Sequence, residues 1–264
     1  MSPSARDRAQ AVILGSGTSH GVPMIGCTCA VCSSDDPHDT RLRPSVYLQL
    51  PDGVRVLIDT TPDLRAQALR HAVTRVDAIL FTHSHADHIF GLDEIRRYNV
   101  LQKSVVPCFG DRRTIDDVRR IFSYAFGRGA AGGGVPQLQT FVIDGVFSLG
   151  RTEIVPVPVL HGSRQILGFR LGAFAYLTDT NQIPDASWPL LDGVELLVLD
   201  ALRRRPHPTH FSVAEALEVV ARLAPARTYF THVCHDLPHA ATSAGLPDGV
   251  ELAYDGLTLD VPGL

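Results

Sequence analysis

The chain is poor in lysine and in long apolar segments. Among its 264 residues Lys103 is the single lysine, and 28 acidic residues outnumber 24 basic ones, for a net charge of −4 with histidine neutral. Nucleic-acid-binding proteins usually carry a basic surplus, so the sequence gives no strong nucleic-acid signal. The apolar runs, such as residues 194–199, fall far short of the ~20 residues that span a bilayer. We therefore expect no membrane segment.

The amino-terminal residues and the cysteines indicate the compartment. Residues 1–10 are polar and lack the apolar core of a secretory signal, which favours a cytoplasmic location. Five cysteines are an odd number, and three of them, Cys27, Cys29 and Cys32, lie close together. In a reducing compartment such a cluster indicates metal binding rather than disulfides.

Short strand patterns dominate both halves of the chain, and helical patterns are fewer. The clearest helix covers Val213–Leu223, with Ser212 as its N-cap and Pro225 just beyond its end. Strands followed by a helix, repeated in each half, predict sheets packed between helices. Further helices are predicted over residues 64–69, 92–101 and 115–125, and strands over 11–14, 46–50, 54–58, 78–82, 139–143, 153–160, 168–171, 174–177, 195–199, 228–231, 252–254 and 257–261.

No linker divides the chain, so residues 1–264 are predicted to form a single domain. Asp52-Gly53, between two predicted strands, is a hairpin-turn signal. The one low-complexity stretch, residues 127–134, consists of glycine, alanine and one arginine, and it predicts a flexible loop within that domain.

A cluster of histidines directly follows the predicted strand that ends near residue 82. His83, His85, Asp87 and His88 form the pattern His-x-His-x-Asp-His. Imidazole nitrogens and a carboxylate are ligands of zinc and of its neighbours in the divalent series. His83 and His85 can share one metal ion, and Asp87 and His88 can serve a second.

This segment resembles the signature of the metallo-β-lactamase family. The resemblance implies an α/β fold, a four-layer αββα sandwich, with two divalent metal ions between its sheets. These ions are expected to be zinc or manganese, with iron as a further option. The resemblance also implies later ligands at strand ends, and His161, Asp179 and His232 each follow an apolar run. It assigns His83, His85 and His161 to one ion, Asp87, His88 and His232 to the other, and Asp179 to a bridge between them.

The amino-terminal segment is similar to the phosphodiesterase branch of that family typified by PhnP. The similarity lies in residues 14–23, Leu-Gly-Ser-Gly-Thr-Ser-His-Gly-Val-Pro, and in Cys27, Cys29 and Cys32. In that branch three cysteines and a distant histidine bind a separate structural zinc. The resemblance implies the same site on the loop at about residues 26–33, completed by His235, with His239 as a nearby alternative. Such a closed site would tie this loop to the loop that carries His232.

The same resemblance implies a general acid. In the phosphodiesterase branch a histidine 22 residues before the last metal ligand donates a proton to the leaving group, and His210 stands 22 residues before His232. Histidine suits this role because its unperturbed pKa is ~6.5. His207 remains a competing candidate and a candidate substrate contact. Asp59 is expected to orient a metal-binding histidine, and Asp87 is expected to take part in catalysis as well as in metal binding.

The function implied is hydrolysis of a small cyclic or linear phosphodiester, of nucleotide or ribose type, by metal-activated hydroxide. Three alternatives remain open. A transfer-RNA 3′-processing nuclease shares the ligands but normally carries a long basic arm. A thioesterase or lactonase shares His-x-His-x-Asp-His, and a catalytically silent metal-binding scaffold would retain the ligands without turnover. The expected partner is a small-molecule substrate, and a homodimer is left open.

Overall fold

The computed structural model describes residues 9–126 and 134–264. The first six strands are β1 (Gln10–Gly15), β2 (Ser45–Gln49), β3 (Arg55–Ile58), β4 (Ala78–Leu80), β5 (Val106–Gly110) and β6 (Leu138–Val142). The next eight are β7 (Phe147–Leu149), β8 (Thr152–His161), β9 (Arg164–Leu171), β10 (Phe174–Leu177), β11 (Leu196–Asp200), β12 (Arg227–Thr231), β13 (Val250–Leu252) and β14 (Thr258–Asp260). They form two seven-stranded sheets, in the orders β14-β1-β2-β3-β4-β5-β6 and β13-β12-β11-β10-β9-β8-β7.

Helices lie on the outer face of each sheet. They are α1 (Leu64–Arg70), α2 (Ala86–Ile89), α3 (Ile95–Gln102), α4 (Arg112–Ile121), α5 (Ser123–Phe126), α6 (Val213–Leu223) and α7 (His239–Ser243), with 3₁₀ turns at Pro37–Asp39, Leu92–Glu94 and Asp185–Leu191. In the described ranges no helix is long and apolar enough to cross a membrane.

Three apolar cores separate four layers. The central core joins the facing surfaces of the two sheets, with Val46 from β2 and Phe169 and Val198 from the second sheet. A second core packs the outer face of the second sheet against α6, and a third packs the outer face of the first sheet against helices that include α3 and α4. These layers confirm the expected αββα sandwich.

Local sequence signals explain two of the elements. Gly53 has a φ of +87° between β2 and β3, which pair antiparallel, so the predicted Asp52-Gly53 turn is confirmed. At the start of α6 the Ser212 hydroxyl accepts a hydrogen bond from the amide of Glu215, and the Glu215 carboxylate accepts one from the amide of Ser212. This capping box confirms the predicted N-cap.

Other boundaries differ from the prediction. The helix predicted over 115–125 is present but its bounds are wrong. It begins at Arg112, because the Asp111 carboxylate caps the amide of Thr114, and it is interrupted at Phe122, after which α5 follows. The first three residues of the helix predicted over 92–101 form a 3₁₀ turn. The sequence also missed two strands: β5 contains Pro107 and Gly110, which weaken a strand pattern, and β7 has three residues. Most of the predicted glycine-rich loop, residues 127–133, lies outside the described residues.

Parallel pairing decides where the site can form. In the first sheet β3, β4 and β5 run parallel, and in the second β10, β11, β12 and β13 do. Parallel neighbours end at the same edge of a sheet, and ligands bind outside the carboxyl ends of such strands. The two edges are joined by a hydrogen bond from the amide of Leu167 to the carbonyl of Thr82, 3.1 Å long. The residues at the strand ends therefore face one another.

Candidate metal centre

Three histidines from distant parts of the chain meet at this edge. His83 follows β4, His85 precedes α2, and His161 ends β8. One ring nitrogen from each lies within 4.8 Å of the others. The ring centroids of His83 and His85 are 4.5 Å apart, and those of His85 and His161 are 5.1 Å apart. The structure therefore brings together the three residues predicted to hold the first ion.

A second group lies beside the first. Asp87, His88, Asp179 and His232 each place one ligand atom within 4.8 Å of the others. Nε2 of His88 lies 3.1 Å from Oδ2 of Asp179, and Nε2 of His232 lies 3.2 Å from Oδ1 of the same carboxylate. Asp179 is also within 4.8 Å of a ring nitrogen of His161. It thus lies between the two groups, where a bridging ligand would have to be.

Hydrogen bonds hold the histidine rings from behind. Nδ1 of His88 donates to Asp59 at 2.7 Å, and Nδ1 of His161 donates to the carbonyl of Thr209 at 3.0 Å. The Thr82 hydroxyl donates to Asp59 at 2.8 Å and lies 3.0 Å from Nδ1 of His83, from which it can accept. With Nδ1 committed in this way, Nε2 of each ring is left as the ligand atom. Asp59 thus contacts a metal-binding histidine, as the sequence predicted.

The arrangement fits metal ions. Within the described ranges, Nε2 of His83, His88 and His232 is buried without a hydrogen-bond partner. Buried polar atoms are normally paired, and three that are orphaned at one place call for a ligand between them. Five imidazoles and two carboxylates form a donor set that suits zinc, manganese or iron.

The pKa of His88 is held well above its usual value, because the neighbouring carboxylates outweigh its burial, so the site favours positive charge at this point. The pKa shifts of two other residues are those expected of metal ligands. Burial holds the pKa of His83 well below its usual value, so that ring is neutral. Burial alone would raise the pKa of Asp179, but the neighbouring His232 and His88 hold it well below its usual value. Neutral imidazoles and ionised carboxylates are the forms that bind cations.

His210 lies against both groups and forms a dyad with a residue that the sequence reasoning missed. Its Nδ1 is 2.7 Å from Oδ2 of Asp200, which also accepts from the amide of Thr180 at 2.8 Å. Its ring stacks on that of His232 at 4.6 Å, with an interplanar angle of 10°. Asp200 is the last residue of β11, and His232 directly follows the neighbouring strand β12. Its position at the end of a strand is the signal that could have identified it.

Burial sets the protonation of this dyad. It raises the pKa of Asp200 well above its usual value and lowers the pKa of His210. Both shifts favour the pair without net charge, which carries two protons. In that state Nε2 of His210 bears a proton whether the other proton lies on Nδ1 or on Asp200. The dyad can therefore donate a proton from Nε2.

The competing candidate His207 lies farther out. Its ring centroid is 5.0 Å from that of His210, and its Nδ1 is the acceptor for the amide of Thr209 at 3.4 Å. None of the metal-ligand groupings among the described residues includes it. The geometry thus favours His210 as the proton donor.

The cysteine cluster closes on His235. Its Nδ1 lies 3.2 Å from Sγ of Cys27, 3.5 Å from Sγ of Cys29 and 3.4 Å from Sγ of Cys32. The alternative residue, His239, packs instead against His38, with ring centroids 4.6 Å apart. Three thiols and one imidazole around a point form a donor set for a closed tetrahedral zinc site.

Arg41 is a second link between the same two loops, and the sequence reasoning missed it. The fully buried guanidinium donates to the carbonyls of Cys234 at 2.8 Å and Leu237 at 2.6 Å, and to Asp39 at 2.9 Å. These bonds flank His235 on both sides. The amino-terminal segment therefore holds the loop after His232 through Arg41 as well as through the cysteine cluster.

Comparisons with known proteins agree with this geometry. The profile of the β-lactamase superfamily domain matches residues 54–233. A crystal structure described as a new diphosphatase from the PhnP family superimposes with a TM-score of 0.89 at 48% identity, over 96% of either chain. Zinc-bound PqqB from Methylobacterium extorquens superimposes with a TM-score of 0.79 at 19% identity, over 96% of this chain and 100% of that one, which shows the shared fold.

A curated relative is longer than this chain. An octanoyltransferase of Porphyromonas gingivalis is 34% identical over 250 residues, which cover 93% of this chain and 50% of the relative. The chain thus spans about half the length of that protein.

Proposed function

The chain belongs to the metallo-β-lactamase superfamily, and on that premise we propose that it is a metal-dependent phosphodiesterase acting on a small cyclic or linear phosphodiester. The observation that carries the proposal is the contact of the His210–Asp200 dyad with two adjoining groups of metal-binding side chains. A metal-binding scaffold has no use for a buried proton donor at this place.

The side chains have distinct roles in this mechanism. The seven His and Asp side chains would hold the metal ions, and these would supply activation of water and neutralisation of charge on the phosphate. Asp59 and the Thr209 carbonyl orient ligand histidines from behind. Asp87, 3.3 Å from Nε2 of His88, is proposed to orient the attacking water as well as to bind metal.

His210 completes the reaction. Water first releases one proton to solvent. The resulting hydroxide forms the new bond to phosphorus, the bond from phosphorus to the leaving oxygen breaks, and Nε2 of His210 gives its proton to that oxygen. An alkoxide is a poor leaving group without this proton. Asp200 acts through His210 by fixing the ring and supplying the second proton of the dyad.

The PhnP-family diphosphatase supports phosphate-ester hydrolysis as the reaction class. The short form of human tRNase Z superimposes with a TM-score of 0.67 at 17% identity, a likeness in fold alone. We therefore rank a transfer-RNA nuclease behind the small-molecule enzyme.

The first test is hydrolysis of bis(p-nitrophenyl) phosphate by metal-free protein reloaded with manganese or zinc. We expect turnover that depends on metal and is lost in Asp179→Ala. The absence of turnover with either metal would overturn the proposal and favour thioester or lactone substrates, and after them a silent scaffold.

The second test concerns the proton donor. His210→Ala should lower kcat for a methyl-ester leaving group ~100-fold more than for a nitrophenolate, since nitrophenolate leaves without a proton. Asp200→Asn should show the same selectivity to a smaller degree. Equal losses on both substrates would reject His210 as the acid.

A further inference from the structure

Ser84 lies between two ligands of the first metal group, His83 and His85, and its hydroxyl makes two hydrogen bonds. It donates to Oδ2 of Asp117 at 2.6 Å, a length typical of a bond to an ionised acceptor. Nη2 of Arg164 donates to the same hydroxyl oxygen at 3.0 Å. We call these three side chains, Ser84, Asp117 and Arg164, the Ser84 network. It joins the metal-binding segment to α4 and to the hairpin of β8 and β9.

Asp117 anchors the network to a packed helix. Its second oxygen, Oδ1, accepts from Nη2 of Arg120 at 2.9 Å. The hydrogen bonds from Ser84 and Arg120 lower the pKa of Asp117, so the carboxylate is ionised and Ser84 is the donor. The next residue of α4, Val118, is fully buried in the third core. The hydroxyl of Ser84 is therefore bound to an element with a fixed place in the fold.

Arg164 is placed against Ser84 at an energetic cost. Nε of Arg164 is buried and makes no hydrogen bond within the described ranges, where the bond to Ser84 is the one its side chain makes. Burial lowers the pKa of this guanidinium, which shows that its position disfavours the charge. A buried donor without a partner calls for an explanation. Contact with Ser84 is the explanation that the structure offers.

Arg164 also connects Ser84 to the third ligand of the first metal group. His161 and Arg164 are direct partners at the end of the antiparallel pair β8 and β9. The Ser84 network therefore joins the segment that carries His83 and His85 to the hairpin that carries His161. All three ligands of that group depend on the distance between these two segments.

His85 is the ligand of this group with the least support of its own. The rings of His83 and His161 each have a polar group within hydrogen-bond distance of Nδ1. In the part of the chain that the structure describes, the ring of His85 has no hydrogen bond, and the residue is exposed. Its position is thus set through its backbone, and the hydrogen bonds of the adjacent Ser84 hold that backbone.

We propose that the Ser84 network positions His85 and His161 for the first metal ion and thereby sets how tightly that ion binds. Its three members are positioning residues, because they act through the histidines. The proposal rests on the metal binding that the proposed function also requires. It does not depend on which ester is hydrolysed.

Zinc binding to metal-free protein tests this role, measured in competition with a chelator while native mass spectrometry counts the ions on each chain. In Ser84→Ala we expect one active-site ion to bind about tenfold more weakly, as is typical when a group behind a metal ligand is lost. The second active-site ion and the zinc at the cysteine cluster should keep their native affinities. Ser84→Thr retains the hydroxyl and should restore native binding.

Two further variants and a control complete the experiment. Arg164→Gln and Asp117→Asn should show the same selective loss of one ion. Asp116→Asn is the matched control, because Asp116 is an exposed carboxylate next to Asp117 on α4, and it should bind zinc as the native protein does. In His161→Ala, which already lacks a ligand of the first group, the addition of Ser84→Ala should cause no further loss.

The outcomes separate the two proposals. Native affinity for both active-site ions in Ser84→Ala and Arg164→Gln would overturn the role of the network. An equal loss for both ions would also overturn it, because a general structural defect has that effect. In either case hydrolysis of bis(p-nitrophenyl) phosphate by the native protein would still support the phosphodiesterase. A native protein that binds no zinc beyond the cysteine cluster would contradict both proposals.

Discussion

Three residues at the centre have a backbone conformation that L-amino acids rarely adopt. Asp59, Asp179 and His232 have φ values of 63°, 56° and 59°, and each follows a strand end by one or two residues. This left-handed conformation costs about 1–2 kcal/mol per residue. Three further non-glycine residues in the described ranges have a positive φ: Ala72, Lys103 and Ala224. They lie at the carboxyl ends of helices, where the left-handed conformation is common. The strain is thus concentrated where side chains must turn toward the metals.

Asp255 is a buried carboxylate outside the metal centre. It accepts hydrogen bonds from the amide and hydroxyl of Ser16 and from the amide of Leu42, each 2.8–2.9 Å long. Burial raises its pKa to about 6, although these hydrogen bonds and the guanidinium of Arg70, 3.8 Å away, act to lower it. Because the folded state holds the proton more tightly than the unfolded state, this group stabilises the fold least above pH 6. Its contribution falls as pH rises from about 4 to 6.

Asp255→Asn should remove this pH dependence. Urea denaturation measures the free energy of unfolding of both proteins at each pH. The difference, native protein minus variant, should fall by about 2 kcal/mol between pH 4 and pH 7. The control is Asp248→Asn, which removes an exposed carboxylate in place of a buried one. A flat difference for Asp255→Asn would contradict the raised pKa.

At the scale of elements, the four-residue helix α2 carries Asp87 and His88 and is held by its surroundings rather than by its own length. The amide of Gly91, just after it, donates to the carbonyl of Thr60 at 2.9 Å. A Cβ at Gly91 would overlap the carbonyl oxygen of Thr61. The close approach of these two backbones fixes the carboxyl end of α2.

Gly91→Ala should therefore displace α2. We expect at least a tenfold loss of active-site metal affinity in a chelator competition, and a loss of about 2 kcal/mol of stability, typical of overpacking. Gly145→Ala is the matched control, because a Cβ there meets no atom within 4 Å. Native metal affinity in Gly91→Ala would show that α2 tolerates the shift.

At the scale of the whole molecule, the amino-terminal segment and the loop after β12 are cross-linked twice. Cys27, Cys29 and Cys32 surround Nδ1 of His235, and Arg41 bonds the carbonyls on either side of it. Residues some 200 positions apart thereby support the loop that begins with His232 and forms one wall of the cavity lined by His210.

Cys29→Ser should lose one zinc ion per chain, as counted by mass spectrometry of the purified protein. We also expect a small loss of stability, because Arg41 still holds the loop. Cys108→Ser, at a buried thiol remote from the cluster, should keep the native zinc content. Unchanged zinc in Cys29→Ser would exclude the closed site.

The proposed metal ligands could be named from the sequence because a local motif and the family resemblance both point to strand ends. His83, His85, Asp87 and His88 fall within six residues, and His161, Asp179 and His232 each follow an apolar run that forms a strand. Asp200 escaped prediction, although it too ends a strand, because its importance depends on His210, which reaches it across a loop. Arg41 escaped because a buried arginine has no sequence signature apart from the carbonyls that it meets.

Apolar patterns in the sequence determined that sheets pack between helices, and a compact histidine motif determined the chemistry of the donor atoms, since both are properties of neighbouring residues. The four-layer arrangement was implied by the resemblance of that motif to a known family. The tertiary structure alone decided between residues of equal chemistry. It put His210 rather than His207 beside the ligands, and His235 rather than His239 beside the thiols. It also placed Arg203 and His207 on the wall of the cavity that His210 lines. Such choices depend on which strand ends share an edge, and long-range pairing of strands settles that.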